Sequence, residues 1–136
     1  MAENTIKLEV VTPDRKVVSE EVEMVVAPAA EGYLGILANH APLITSLQIG
    51  VLKYTAGGQE QKLAISGGFL EVKDNRAVVL AEAAERPEEI DVQRALAAKE
   101  RAERRLAERS ADIDMVRAEV ALKRALNRLK VAGKIE

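Results

Sequence analysis

Ala83-Ala84-Glu85-Arg86-Pro87-Glu88-Glu89-Ile90-Asp91-Val92-Gln93-Arg94-Ala95 is the stretch across which the chain changes its period. Before it, short apolar segments alternate with turn residues. Ile6-Lys7-Leu8-Glu9-Val10 alternates strictly, Val22 to Val26 is apolar and β-branched, and Val51-Leu52-Lys53-Tyr54-Thr55, Lys62 to Ser66, Phe69-Leu70-Glu71-Val72 and Ala77-Val78-Val79-Leu80 follow. Alternation of this kind is the mark of half-buried strands. Gly57-Gly58 supplies the positive φ angles of a tight hairpin turn, and Asp74-Asn75 marks a second. Ser66-Gly67-Gly68 reads as a strand end with a bulge or tight bend. About seven or more short strands with closely spaced turns predict an antiparallel sandwich or barrel over residues 1–84.

After the junction, glycine is absent until Gly133 and Pro87 is the single proline, while Ala, Glu, Arg and Leu dominate. Those four are strong helix formers. Pro87 suits a first helical turn, where its missing N–H is not needed, and Glu88, Glu89 and Asp91 complement the positive end of the helix dipole. A helix is therefore expected from about Pro87 to Arg109. Ser110 or Asp112 is the expected N-cap of a second helix reaching about Val131, with Gly133 as its stop. A short connection gives an antiparallel two-helix hairpin over 87–136. Leu96 and Leu106 stand among alanines, so the first helix has a narrow apolar stripe and docks weakly. A weakly docked element meets the physical requirement for a conformational switch.

The net charge of -2 conceals an asymmetry. Residues 1–84 carry 7 Lys and Arg against 11 Asp and Glu, whereas residues from Arg117 onward carry 6 against 2. The C-terminal end is thus matched to an acidic partner or anion, or is a solvated face rich in ion pairs. Arg117, Arg124 and Arg128 fall at i, i+7 and i+11, and Asp91, Arg94 and Arg101 share a face of the first helix. Two readings follow from that spacing: a short-range ion pair beside a solvated stripe, or arginines presented to a polyanion.

With no cysteine, one histidine and no phosphate-binding loop or nucleophile motif, neither catalytic residues nor a metal site are expected. No segment approaches the ~18–20 apolar residues of a membrane span, and Met-Ala-Glu-Asn-Thr has no leader character, so a soluble chain that stays in the cytoplasm is expected. A pI near 5.6 argues against nucleic acid. His40, in a turn between apolar segments, is either structural or part of an interface, and Tyr33 is a contact anchor if exposed.

Val10-Val11-Thr12-Pro13-Asp14, Gly35-Ile36-Leu37 with His40-Ala41-Pro42-Leu43, and Ser66-Gly67-Gly68-Phe69-Leu70-Glu71-Val72 resemble, in order and spacing, the epsilon subunits of bacterial and chloroplast F-type ATP synthases. The resemblance continues through Ala83-Ala84-Glu85, Ile90 to Ala95, and Ala121-Leu122-Lys123-Arg124-Ala125-Leu126-Asn127-Arg128-Leu129. It implies a flattened antiparallel β sandwich followed by the helical hairpin. It implies a non-catalytic rotor subunit of the central stalk, peripheral on the cytoplasmic face of the bacterial cell membrane, in a complex that couples proton flow to ATP synthesis. The β domain would bind the gamma subunit and the ring of c subunits, with Tyr33 and His40 as candidate contacts. At Tyr33 the family often carries an acidic residue, from which this chain departs. The hairpin would fold down or extend toward the alpha and beta subunits, where it restrains ATP hydrolysis. Some members bind a regulatory ATP, with or without Mg2+, through [Ile/Leu]-Asp-x-x-Arg-Ala. By that resemblance Ile90, Asp91, Arg94 and Ala95, with Glu85, Arg124 and Arg128, are the candidate ATP-binding residues, and no other cofactor is required.

Overall fold

A computed structural model describes residues 4–135. The chain divides into two compact units, Met1–Glu85 and Arg86–Glu136. The first is built of β1 (Ile6–Val11), β2 (Lys16–Val22), β3 (Met24–Ala29), β4 (Gly32–Leu37), β5 (Leu43–Ala56), β6 (Gln59–Lys73), β7 (Arg76–Ala81) and the short β8 (Ala84–Glu85). The second contains a 3-10 turn over Pro87–Glu89, then α1 (Val92–Glu108) and α2 (Met115–Val131).

The strands form one path ordered β2-β1-β7-β6-β5-β3-β4, with β8 beside β6. β5 and β6 are 14 and 15 residues long, more than twice the length of their neighbours. Their pairing runs from Leu43↔Val72 to Leu47↔Gly68, breaks, and resumes from Ile49↔Ser66 to Ala56↔Gln59. On one side of the break β6 pairs with β7, on the other with β8. The sheet folds over at this break into a sandwich, because alternate residues of its strands converge on one core that includes Leu8, Val10, Ile36, Leu52, Leu63 and Leu70. β1 shows the pattern plainly, with Ile6, Leu8 and Val10 fully buried and Lys7, Glu9 and Val11 on the other face. Fully burying such side chains is worth roughly 1.5–3 kcal/mol each.

Four local expectations need correction. Ser66-Gly67-Gly68 is the middle of β6, the site of its bend, and not a strand end. Gly67 and Gly68 have φ of 93° and 135°, and a Cβ on Gly68 would lie 2.1 Å from the Leu80 carbonyl oxygen. Val22 to Val26 is not one strand: the chain changes partner at Glu23, since β2 pairs with β1 and β3 with β4 and β5. The antiparallel sandwich contains one parallel pair, β1 with β7, which the long intervening chain makes feasible. The hairpin turns fall where expected, with positive φ at Gly57 and Gly58 and at Asp74 and Asn75.

The fourth correction concerns the helices. Pro87 opens a separate 3-10 turn, closed by a hydrogen bond from the Arg86 N–H to Glu89 Oε1 (2.8 Å), and Ile90 is extended. The α-helix begins only after Asp91, whose carboxylate accepts from the Arg94 N–H at 3.0 Å. The N-cap of α2 is Asp114, which accepts from the Arg117 N–H at 3.0 Å, rather than Ser110 or Asp112. Ser110 instead shapes the connection, its Oγ accepting from the Asp112 N–H. α1 ends on Arg109 in a left-handed conformation. α2 ends as expected before Gly133 at φ 78°, where the Lys134 N–H donates to the Leu129 carbonyl.

On the outer face of β1, Glu9 accepts from Lys16 Nζ of β2 (2.9 Å) and Arg76 Nη2 of β7 (2.5 Å) and is only 13% exposed. These bonds, Lys16 first, hold its carboxyl at about 2 instead of 4.5.

Gly68→Ala should cost roughly 3 kcal/mol or more in urea denaturation, because a Cβ must displace backbone, whereas Gly35→Ala, with open space and ordinary φ, should stay within about 0.5 kcal/mol. The stabilisation from Glu9 is complete above pH 4.5 and lost as pH falls through about 2, its pKa being depressed in the folded state. Glu9→Gln should flatten the stability–pH profile of the full chain across that window.

Candidate functional site

The helical unit places its charged side chains through an alanine seam. Ala95 and Ala102 of α1 and Ala118 and Ala125 of α2 are buried, each pair seven residues apart, and Leu129 and Val131 are buried near the end of α2. Seven-residue spacing returns a side chain to nearly the same face of a helix. Because alanine carries only a methyl group, the two helices pack closely there while burying little apolar area.

Beside this seam runs a cleft of about 420 Å³ between α1 and α2. Ala98, Arg101, Ala102 and Arg105 of α1 line one wall, and Arg117, Val120, Ala121 and Arg124 of α2 line the other. Four guanidinium-bearing side chains face a floor of alanine and valine, and the lining contains no carboxylate. All four arginines are exposed, so water and salt screen their mutual repulsion. A polyanion reverses the sign of that interaction, and guanidinium is the side-chain group best shaped to hold phosphate oxygens in pairs. The chemistry on offer is anion capture: no nucleophile or general base lines the cleft.

The candidate ATP-binding residues occupy distinct places. Arg124 lines the cleft. Arg128, one turn further along α2, is half-buried. Ala95 belongs to the seam, and Ile90 is buried at the end of the 3-10 turn. Asp91 and Arg94 do meet, but through the Asp91 carboxylate and the Arg94 backbone N–H, so the i,i+3 relation expressed here is a helix cap rather than a side-chain ion pair. Glu85 lies in β8, in the N-terminal unit, while the other six lie in the helical unit.

Arg105 was not singled out by the sequence, although a signal was present. Arg94, Arg101 and Arg105 repeat on α1 the i, i+7, i+11 spacing of Arg117, Arg124 and Arg128 on α2. The repeat becomes meaningful only when the helices face each other.

Tyr33 lies near the start of β4 and His40 in the turn beyond its end, with roughly 13 Å of strand from Tyr33 to Leu37 before that turn. They do not form one small site. Tyr33 is 61% exposed, yet its hydroxyl accepts from the Val51 N–H at 3.2 Å over Gly50, where a Cβ would lie 3.0 Å from it. His40 is half-buried, with Nδ1 2.8 Å from the Ala41 carbonyl oxygen.

The chain matches two family models, the beta-sandwich domain of the ATP synthase delta/epsilon chain over residues 5–87 and its long alpha-helix domain over 88–133. It is 67% identical over 130 residues to the ATP synthase epsilon chain of Carboxydothermus hydrogenoformans, covering 96% of this chain and 97% of that one. It is 63% identical to that of Pelotomaculum thermopropionicum over 134 residues, covering 98% and 100%. Among solved structures it resembles a chain of the Euglena gracilis mitochondrial ATP synthase, in an assembly of OSCP, F1 and c-ring, with a TM-score of 0.80 at 27% identity over 94% of this chain and 81% of that one.

The cap geometry separates two roles for one residue. Asp91→Ala should lower helical-unit stability by about 1 kcal/mol, read as an earlier loss of far-ultraviolet helical signal on heating, whereas Asp91→Ser, which keeps a capping oxygen, should lose only a few tenths.

Proposed function

Because this chain belongs to the ATP synthase delta/epsilon chain family, matched along both of its domains, we propose that it is an epsilon subunit of the central stalk whose helical hairpin senses ATP and restrains ATP hydrolysis. The subunit is accessory and does not itself catalyse. The β unit docks on gamma and the c ring at the cytoplasmic face of the membrane, with Tyr33 and the His40 loop among its contacts. Among the described residues no helix is long and apolar enough to cross a membrane, and its membrane association is peripheral, through the complex.

The observation that carries the sensing is the four-arginine cleft between α1 and α2. Its charge converges only while the helices lie side by side, so ATP phosphates bind the closed hairpin better than the open one. By linkage, ATP then favours the closed form, by about 2.7 kcal/mol at a hundredfold excess over Kd. Arg124 and Arg128 act on the phosphates, Asp91 holds the start of α1 in register, and the guanidinium planes offer packing for the base, Ile90 and Ala95 being buried. When ATP leaves, that linkage is lost and the closed form keeps only the small apolar gain of the alanine seam. The hairpin opens and presents a basic α2 to acidic surfaces of the alpha and beta subunits, where the contact resists rotation in the hydrolytic direction.

Calorimetric titration of the isolated full chain with ATP tests the sensing half. Saturable binding should be lost in the double variant Asp91→Ala, Arg94→Ala and in Arg101→Ala, Arg124→Ala; ATP raising the melting temperature of these as much as that of the wild type would place the nucleotide elsewhere. Removing residues 87–136 should speed ATP hydrolysis by the assembled complex, and equal rates would dismiss the restraint.

A further inference from the structure

The turn between β6 and β7 does more than reverse the chain. Asp74 and Asn75 both have positive φ, 52° and 58°, a conformation that asparagine tolerates and glycine favours. The Asn75 side chain then reaches two separate segments. Its Oδ1 accepts from the Asn39 N–H at 2.8 Å, and its Nδ2 donates to the Thr5 carbonyl oxygen at 2.9 Å. The Asn75 carbonyl accepts a third bond, from the Lys7 N–H at 3.2 Å. The orientation of the amide is settled by its partners, since a backbone N–H can only donate and a carbonyl can only accept. Asn39, itself at φ 61°, immediately precedes His40 in the turn that leaves β4.

We infer that Asn75 is a positioning residue for the Asn39–Pro42 loop, holding that loop in the shape that presents His40 to the rotor. The inference rests on reading the loop as a rotor contact. One half of the amide serves the loop and the other serves the start of β1, so the two halves have separable consequences. An aspartate can supply the acceptor for Asn39 but no donor for Thr5. A glycine keeps the turn conformation and supplies neither.

The test measures binding of the full-length chain, as wild type, Asn75→Asp, Asn75→Gly and His40→Ala, to ATP synthase depleted of this subunit, alongside the melting temperature of each. Both Asn75 variants should melt earlier than wild type, having lost the Thr5 bond. Affinity should separate them: Asn75→Gly should bind about five- to tenfold more weakly, the scale of one hydrogen bond, while Asn75→Asp stays within about twofold of wild type. Amide exchange at Asn39 should quicken in the glycine variant alone. His40→Ala weakening binding while Asn75→Gly binds as wild type would overturn the positioning role and leave the contact reading standing. Equal losses of affinity in Asn75→Asp and Asn75→Gly would overturn it as well, because affinity would then follow stability. Wild-type binding by His40→Ala would remove the contact reading and the inference with it. Should Asn75→Gly fail to fold, the aspartate variant decides alone: reduced melting temperature with retained affinity supports the role, and reduced affinity overturns it.

Discussion

The backbone of β6 passes so close to that of β7 at Gly68 that no side chain fits between them: a Cβ there would stand 2.1 Å from the Leu80 oxygen and 2.8 Å from the Ala81 Cα. The β unit depends on this approach. It lets one hairpin, β5–β6, pair on both sides of its bend, so that strands from both ends of the path reach a single core. Held there, β7 pairs with β6 on one side and with β1 in parallel on the other, and the Glu9 brace with Lys16 and Arg76 closes the outer face over three strands. The same arrangement sets the β6–β7 turn beside Asn39, and so connects the bend in the sheet to the loop that carries His40.

The helical unit is governed by a different balance. Alanine allows two helices to lie close but contributes little apolar burial, and the closeness concentrates positive charge in the cleft. A hairpin held by that balance has a small margin, and the proposed sensing turns on an anion enlarging it. The caps at Asp91 and Asp114 keep each helix intact whichever way the balance falls, because their bonds lie within a single helix. The proposed switch is therefore a change in how two formed helices associate, and not a melting of either.

Much of this was legible in the residues themselves. The change of period near Ala84, the two glycine or asparagine turns, the stop at Gly133 and the β-strand alternation of Ile6–Val10 are local properties, set by φ preference and by which side chains repeat on one face. The resemblance of motifs from Val10 to Leu129 likewise pointed to the family that the comparisons then established. The helix boundaries were legible only to within a turn. Pro87 and Asp91 both carry start signals, and the choice went to the residue whose carboxylate could reach an N–H two or three positions ahead.

What the chain alone could not disclose are the relations between residues far apart along it. Nothing in Ser66-Gly67-Gly68 says whether a strand ends or bends, because the answer lies in the Leu80 carbonyl passing beside it. Arg105 joins the site only when α2 lies opposite, and Asn75 becomes a junction only because Thr5 and Asn39, 70 and 36 residues away, are folded against it. Local sequence determined the change from strands to helices and the place of the hairpin turns, since those preferences act within a few residues, but not where each strand or helix begins and ends. Tertiary structure decided which strands are neighbours, which glycine is indispensable and which arginines share a cleft, since these depend on distances that chain closure alone sets.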